Sequence, residues 1–563
     1  MDNKRRNEMK SKFYKRLLPI VIMIIGSTCF ANNITVNNVG IIGQNTTDHY
    51  SLVQFTLAWE NSWRNDLGGN GQAEPYNRDA AWIFIKYRLG SGEWQQAWLN
   101  NEGNTGPEGC VIDIGLLSPG TSFNPTTNPG LGAFIYRNAN GTGTNSFSNI
   151  RLRWNYGDNG LSDASTVEIK IFAIEMVYVP QGSFYVGSGG NGDDTTSGFY
   201  EYPTFTNAYQ INSEAAITVD TTDGSLYYKL NFFLQGGRGG DQLGPVPAAF
   251  PKGYSSFYCM KYEISQQQYV DFLNTLTRSQ QNTRTETILT SGITSVTNNY
   301  VMSDSNLVVI RNGIRCNAVI PAFEPIIFYC DLNANGVAAD INDGQSIACG
   351  FLNWADLAAY LDWSGLRPMT ELEFEKACRG SLSPIPNEYA WGTPYVAGSI
   401  TPFIYSLINS GSNDENISAN YSTSVGVGNA RYEFTGDIFP NFAPGPMRVG
   451  IFAGNINNTG RITSGATYYG IMEMSGNLWE RAVTIGTAVG RLFTGTHGDG
   501  LLNTTGNHNT LSWPGTNGNG GGFRGSALHH HLWDLTISGR RLAALSSDSR
   551  HFGRGGRGVR TSP

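Results

Sequence analysis

Residues 469–481 read YGIMEMSGNLWER. Two glycines, an asparagine and a Trp-Glu pair within thirteen residues suit a tight turn rich in side chains better than the interior of a helix or strand. The rest of the chain offers no HExxH zinc motif and no nucleophile elbow, so any functional argument has to start from this stretch and its partners.

Working outward, the 563 residues exceed what one ordinary core encloses and predict two or three domains. With 69 Gly, 12% aromatic and only 15% charged residues, the chain reads as loop-rich and aromatic-rich, a profile common in secreted bacterial β-rich proteins. Seven Lys and Arg precede an apolar run, Leu17–Cys29, and a small residue, Ala31, so residues 1–31 read as a secretory signal peptide. Lipidation at Cys29 is the alternative, although the preceding Gly-Ser-Thr lacks the leucine of a usual lipobox. The expected location is exported: periplasmic, outer-membrane-associated or extracellular in a bacterium, with no transmembrane span once the leader is removed. Without it, 31 Lys and Arg face 43 Asp and Glu, a net charge of −12, which gives no electrostatic reason to bind nucleic acid. Six cysteines remain, and export permits disulfides without the sequence choosing a pairing.

Residues 32–175 predict an all-β domain. Val53, Phe55, Leu57 and Trp59 alternate with other residues, as do Ile150, Leu152, Trp154 and Tyr156, which is the period of half-buried strands. Trp82–Tyr87 and Val167–Ile174 are further strands, and a β-sandwich is the economical architecture. Trp59, Trp82 and Trp154 are expected in its core, with stacking on sugar rings as the alternative. At Met176 the character changes, and MVYVPQGSFYVGS opens a second unit, 176–563. There Ser265 caps a helix with Tyr269, Phe272, Leu273 and Leu276 on one face; Trp354, Leu357, Ala358 and Leu361 repeat that spacing; and Thr370 with Glu373 forms a capping box for a third helix ended by Gly380. The fold class is therefore α+β.

An insertion at about 278–350 holds CDLNANGVAADINDGQSIAC. Asp331, Asn333, Asn335 and Gly336 take positions one, three, five and six of an EF-hand-like calcium loop, with Asn342 at position twelve and Asp340 and Asp343 nearby. Two compatible readings stay open, a calcium loop and an Asn/Asp/Gly turn tied off by a Cys330–Cys349 disulfide.

Taken in order, MVYVPQGSFYVGS, FYCMKYEISQQQYVDFLN, WADLAAYLDWSGLRPMTELEFEKACRG, YAWG, YGIMEMSGNLWER and the closing RGS…GVR resemble the motifs of the formylglycine-generating enzyme (sulfatase-modifying factor) family. The resemblance implies a variant of the C-type lectin fold, frequently bearing structural calcium, for which Asn420, Asn477 and Glu480 are candidates, the alternative for each being a buried hydrogen bond that fixes a turn. Active members oxidise a substrate cysteine with two cysteines near the C-terminus that hold copper. Counting from Gly558-Val559-Arg560 that pair falls on Leu532 and Ile537, and counting from Arg524-Gly525-Ser526 it falls on His529 and Asp534; no cysteine lies beyond Cys378. Soft thiolates select Cu(I), so copper is not expected. His529 and His531 on a strand share a face and, with His551, offer a metal site, the alternative being buried imidazoles or a polar strand edge. Arg540, Arg541, Arg550, Arg554 and Arg557 are expected to pair with the chain's own carboxylates, the alternative being an anion site. These features together lead to the expectation of a non-catalytic protein of binding or cell-envelope assembly, its partner a protein or glycan at the cell surface. The alternatives are a metal-dependent oxidase or sulfatase-modifying-type enzyme with a displaced site, and a carbohydrate-binding surface protein.

Overall fold

Alternation of apolar and polar residues in the first half of the chain produces eight strands: β1 (Thr35–Asn45), β2 (Tyr50–Asn65), β3 (Asn77–Leu89), β4 (Gln95–Gln96), β5 (Cys110–Leu116), β6 (Gly130–Arg137), β7 (Gly141–Trp154) and β8 (Val167–Val179). The computed structural model describes residues 33–66, 76–190, 197–230, 238–399, 405–432, 445–530 and 532–563; the expected leader, 1–31, and Cys29 lie outside them. β2 pairs antiparallel with β1 and β7, while β6 sits between β5 and β3, and β3 pairs with β8 from Asp79↔Val177 to Leu89↔Val167. Ser51, Val53, Phe55, Leu57 and Trp59 are buried and the residues between them half-exposed, as a period of two requires.

β3 is buried on both faces. Ala81, Ile83 and Ile85 pack with Val53, Phe55, Leu57 and Leu152 in one core, whereas Ala80, Trp82 and Phe84 enter the main core, where Phe84 meets Trp363 with ring centroids 5.0 Å apart. Trp59, Trp82 and Trp154 are all fully enclosed, which withdraws them from stacking on a sugar.

β8 runs unbroken through residue 175, where the sequence suggests a change of unit. Its far end pairs with Phe257–Met260, that strand pairs with Gly558–Thr561, and the latter pairs with Arg367–Pro368, so the end of the chain closes a sheet begun by its first strands. Arg560 locks this junction, donating to the carbonyls of Gly365 and, at 2.5 Å, Leu116, with its guanidinium 4.5 Å from the centre of the Trp82 ring.

The chain is mixed, mostly strands with few helices. Gln266–Leu273 carries the expected Ser265 cap, closed into a box by Gln268, and Glu371–Arg379 starts at the Thr370–Glu373 box; such caps contribute about 1 kcal/mol each. Gly380 ends the latter at φ 68°, and a Cβ there would stand 2.0 Å from a Tyr468 ring carbon, so both backbone and packing demand glycine. Trp354–Trp363 has Asn353 as its cap. A further helix, Arg278–Arg284, opens the insertion; its signal, the Thr277-x-x-Gln280 box, was legible but its face carries no apolar stripe.

The disulfide reading of the insertion does not hold. Cys330 and Cys349 are free thiols in the main core beside Cys316; Cys259 and Cys378, in a second cluster, and half-buried Cys110 are free as well, and all pack as small apolar groups. Among the described residues no helix is long and apolar enough to cross a membrane.

Candidate functional site

In the segment 469–481, Gly470, Glu473, Gly476 and Asn477 all have positive φ, which coils the chain so that successive side chains face different neighbours. The Ser475 hydroxyl donates to Leu535 O at 2.7 Å, and Trp479 N donates to Gly553 O at 2.9 Å. Asn477 accepts from Met447 N at 2.9 Å and donates to Glu263 at 2.5 Å, while Glu263 also accepts from Leu478 N. Arg557 Nε donates to Glu480 Oε1 at 2.5 Å, both side chains fully buried. Glu263, Glu473 and Glu480 crowd this guanidinium; burial raises all three carboxyls, Glu473 to about 7, while Arg557 opposes the rise.

This arrangement does not fit the calcium site that Asn477 and Glu480 suggest, because Asn477 is spent on a turn and Arg557 supplies the positive charge at Glu480. Asn420 is exposed at a left-handed turn. The loop of the insertion does bring Asp331, Asn333, Asn335 and Asp340 together. Asp331 accepts from Asn335 N and Gly336 N, each at 3.0 Å, and Asp340 accepts from Asn335 Nδ2 at 2.7 Å. Arg315 Nη1 lies 2.5 Å from Asp331 Oδ2, and Asn342 is neutral and exposed, so a guanidinium occupies the position of strongest anionic field and the twelfth ligand adds no charge. Among the described residues no three His, Cys, Asp or Glu side chains converge well enough to hold a metal ion.

A cleft of about 1280 Å³ opens beside the start of the turn. One wall is the β2 end and the β7 start, with Asn61, Trp63 and Asn140; the other is the segment 450–472, with Arg461, Tyr468 and Tyr469. Asn77 ties the walls together, accepting from Trp63 Nε1 at 3.2 Å and donating to Tyr469 O at 2.6 Å. At one edge Lys261 lies 3.0 Å from Glu175 and 3.6 Å from Asp79; burial raises both carboxyls, Glu175 to about 7, with Lys261 opposing. Sequence reasoning missed this cleft, since three distant segments build it and none carries a motif of its own.

The other end of the turn, at Trp479, faces a second, smaller pocket of about 270 Å³. His529 lies there in a turn, not on the expected strand, so alternation cannot pair it with His531, which lies outside the described residues. The neighbours it does acquire are His530 and His551, with ring centroids 4.5 and 4.9 Å away. Of the two registers for the reactive pair, Leu532 and Ile537 fall in separate apolar clusters, whereas Asp534 reaches His530 at 3.4 Å, beside His529. Four of the five tail arginines pair as expected: Arg540 with Glu371, Arg541 with Asp534, Arg550 with Asp356 and Arg557 with Glu480. Arg554 instead donates to Ser547 and Ser549.

No curated protein matches the chain. The family model of the sulfatase-modifying factor enzyme 1-like domain matches residues 165–485, a span that starts just before β8, contains the whole 469–481 turn and stops short of His529, His530 and His551. Since that span is more than half of the chain, and all the ordered motifs but the closing RGS…GVR, together with the capped helices and the coiled turn, fall within it, the chain belongs to the family of the sulfatase-modifying factor enzyme 1-like domain.

Proposed function

We propose that this chain is an exported, non-catalytic member of its family that binds an extended polar ligand, a glycan or peptide chain at the cell surface, in the cleft between the β2–β7 wall and the segment 450–472. The cleft itself carries the reading: it is wide enough for several residues of a chain, and asparagines with Trp63 and Tyr468 line it. Asparagine amides donate and accept at once, and aromatic faces receive sugar rings or apolar side chains, so the lining suits a polar polymer, with Glu60, Asp414, Arg64, Lys261, Arg448 and Arg461 adding charge of both signs. Strands β2 and β7, which belong with the other early strands to one connected sheet, serve here as one wall of the binding site.

The thiols support the non-catalytic reading. The family reaction needs accessible thiolate, yet burial raises Cys110 and Cys259 to about 12 and Cys316 to about 11, and drives Cys330, Cys349 and Cys378 well above the usual thiol range. A peptide bearing a sulfatase-type cysteine motif, incubated with the protein, copper and oxygen, is expected to show no aldehyde by mass spectrometry. Glycan and peptide arrays probed with the wild type and Trp63→Ala test the binding reading. Binding lost in the variant supports it, and empty arrays with both probe types overturn it.

A further inference from the structure

The pocket at Trp479 collects cationic and imidazole groups from distant parts of the chain: Arg238, Arg541, Arg554, His529, His530 and His551. Among the described residues no carboxylate lines it. The acid beneath, Asp534, is already held by Arg541 through two bonds of 3.0 and 2.5 Å, with His530 at 3.4 Å. The Arg554 hydrogen bonds go to the neutral oxygens of Ser547 and Ser549, with exposed Asp548 its acidic neighbour by charge. Behind it lies Arg481, fully buried, donating to the carbonyls of Ser547 and Leu352, its Nε without a hydrogen-bond partner among the described residues. The two guanidiniums flank one ring, Phe523, at 4.7 Å for Arg481 and 5.1 Å for Arg554. Positive charge is thus in surplus around the pocket, and enclosed charge without a counter-ion is costly.

That surplus decides which ligand chemistry the histidines serve. Three clustered imidazoles suggest a metal, but a cation would meet the same repulsion that the arginines exert on one another. Burial is the main cause that lowers His529 to about 3 and His551 to about 4, and for both the neighbouring positive groups, Arg554 and the His530 imidazole among them, push the same way. Neutral imidazoles then present N–H donors, and the enclosed Nδ1 of His529 has no hydrogen-bond partner among the described residues. The space, roughly nine waters at about 30 Å³ each, holds one small charged group with its first attached atoms against Trp479.

We propose that this pocket is an oxyanion site, in which Arg554 grips a single phosphate, sulfate or carboxylate group and the imidazoles of His529 and His551 donate to its remaining oxygens. Guanidinium forks match such groups in charge and geometry. The site stands apart from the cleft proposed for the extended ligand and does not depend on that reading.

Isothermal titration calorimetry of the full chain with inorganic phosphate, inorganic sulfate and acetate tests it. At least one anion is expected to bind once per chain, with affinity reduced tenfold or more in Arg554→Gln and in Arg238→Gln; the tightest of the three names the group. Arg238 is exposed, so its variant keeps the test valid if Arg554→Gln fails to fold. No binding of any of the three anions overturns the proposal, as does affinity unchanged in both variants. Stoichiometric binding of zinc that is abolished in His529→Ala overturns it as well, by making the pocket a metal centre.

Discussion

The guanidinium of Arg557, on the last strand's threshold, donates to the carboxylate of Glu480 at 2.5 Å, and neither side chain reaches solvent. Through this pair the coiled turn is fastened to the end of the chain. Because Glu263 and Glu473 press on the same guanidinium, its loss and the loss of Glu480 are not equivalent. Arg557→Met strands three buried carboxylates and is expected to cost about 3–5 kcal/mol, whereas Glu480→Gln keeps an acceptor and removes one crowded charge. Urea unfolding of the two variants checks the order, and equal losses would contradict it.

The Glu473 carboxyl, lifted to about 7 mainly by burial, sets a pH dependence. An unfolded Glu titrates near about 4.3. Between the two values the folded chain binds the more protons, so this contribution is fully present below about 4.3 and is lost as pH rises through 7. Glu473→Gln removes that slope, and at pH 8 the variant is expected to gain on the wild type by an amount on the order of 4 kcal/mol, at about 1.4 kcal/mol per pH unit of difference. Melting curves from pH 4 to pH 8 would show parallel profiles if the assignment is wrong.

Six free thiols are expected per chain once the leader is gone. Labelling of the native protein at pH 8 without reductant should be slow, with all six reacting promptly in denaturant. Detection of only four would restore a bridge such as Cys330–Cys349.

Calcium is expected to leave the melting temperature unchanged, since Arg315 already neutralises Asp331. A rise of several degrees that disappears in Asp331→Asn would show that the cation displaces the guanidinium.

Much of this was local and therefore legible. Ser265, Thr370 and Gly380 act within one helical turn of themselves, and Val53 to Trp59 alternate along one strand, so neighbouring residues suffice to state the outcome. Legibility failed where a side chain's partner lies far off. Nothing near His529 says that a turn replaces a strand there, or that His551 comes to face it.

For the 469–481 turn itself, the sequence alone determined most of the backbone, with glycine or asparagine at three of the four positions of positive φ and Glu473 the exception, and a family signature in the order of motifs around it. Only the tertiary structure decided what the turn is for. Its charged and polar groups were open to reading as calcium ligands until Arg557 and Met447, 77 and 30 residues away, proved to hold them. The physical reason is that the field at a buried carboxylate comes from whatever charge packs against it, and which charge does so is a property of the assembled sheet rather than of any stretch of chain.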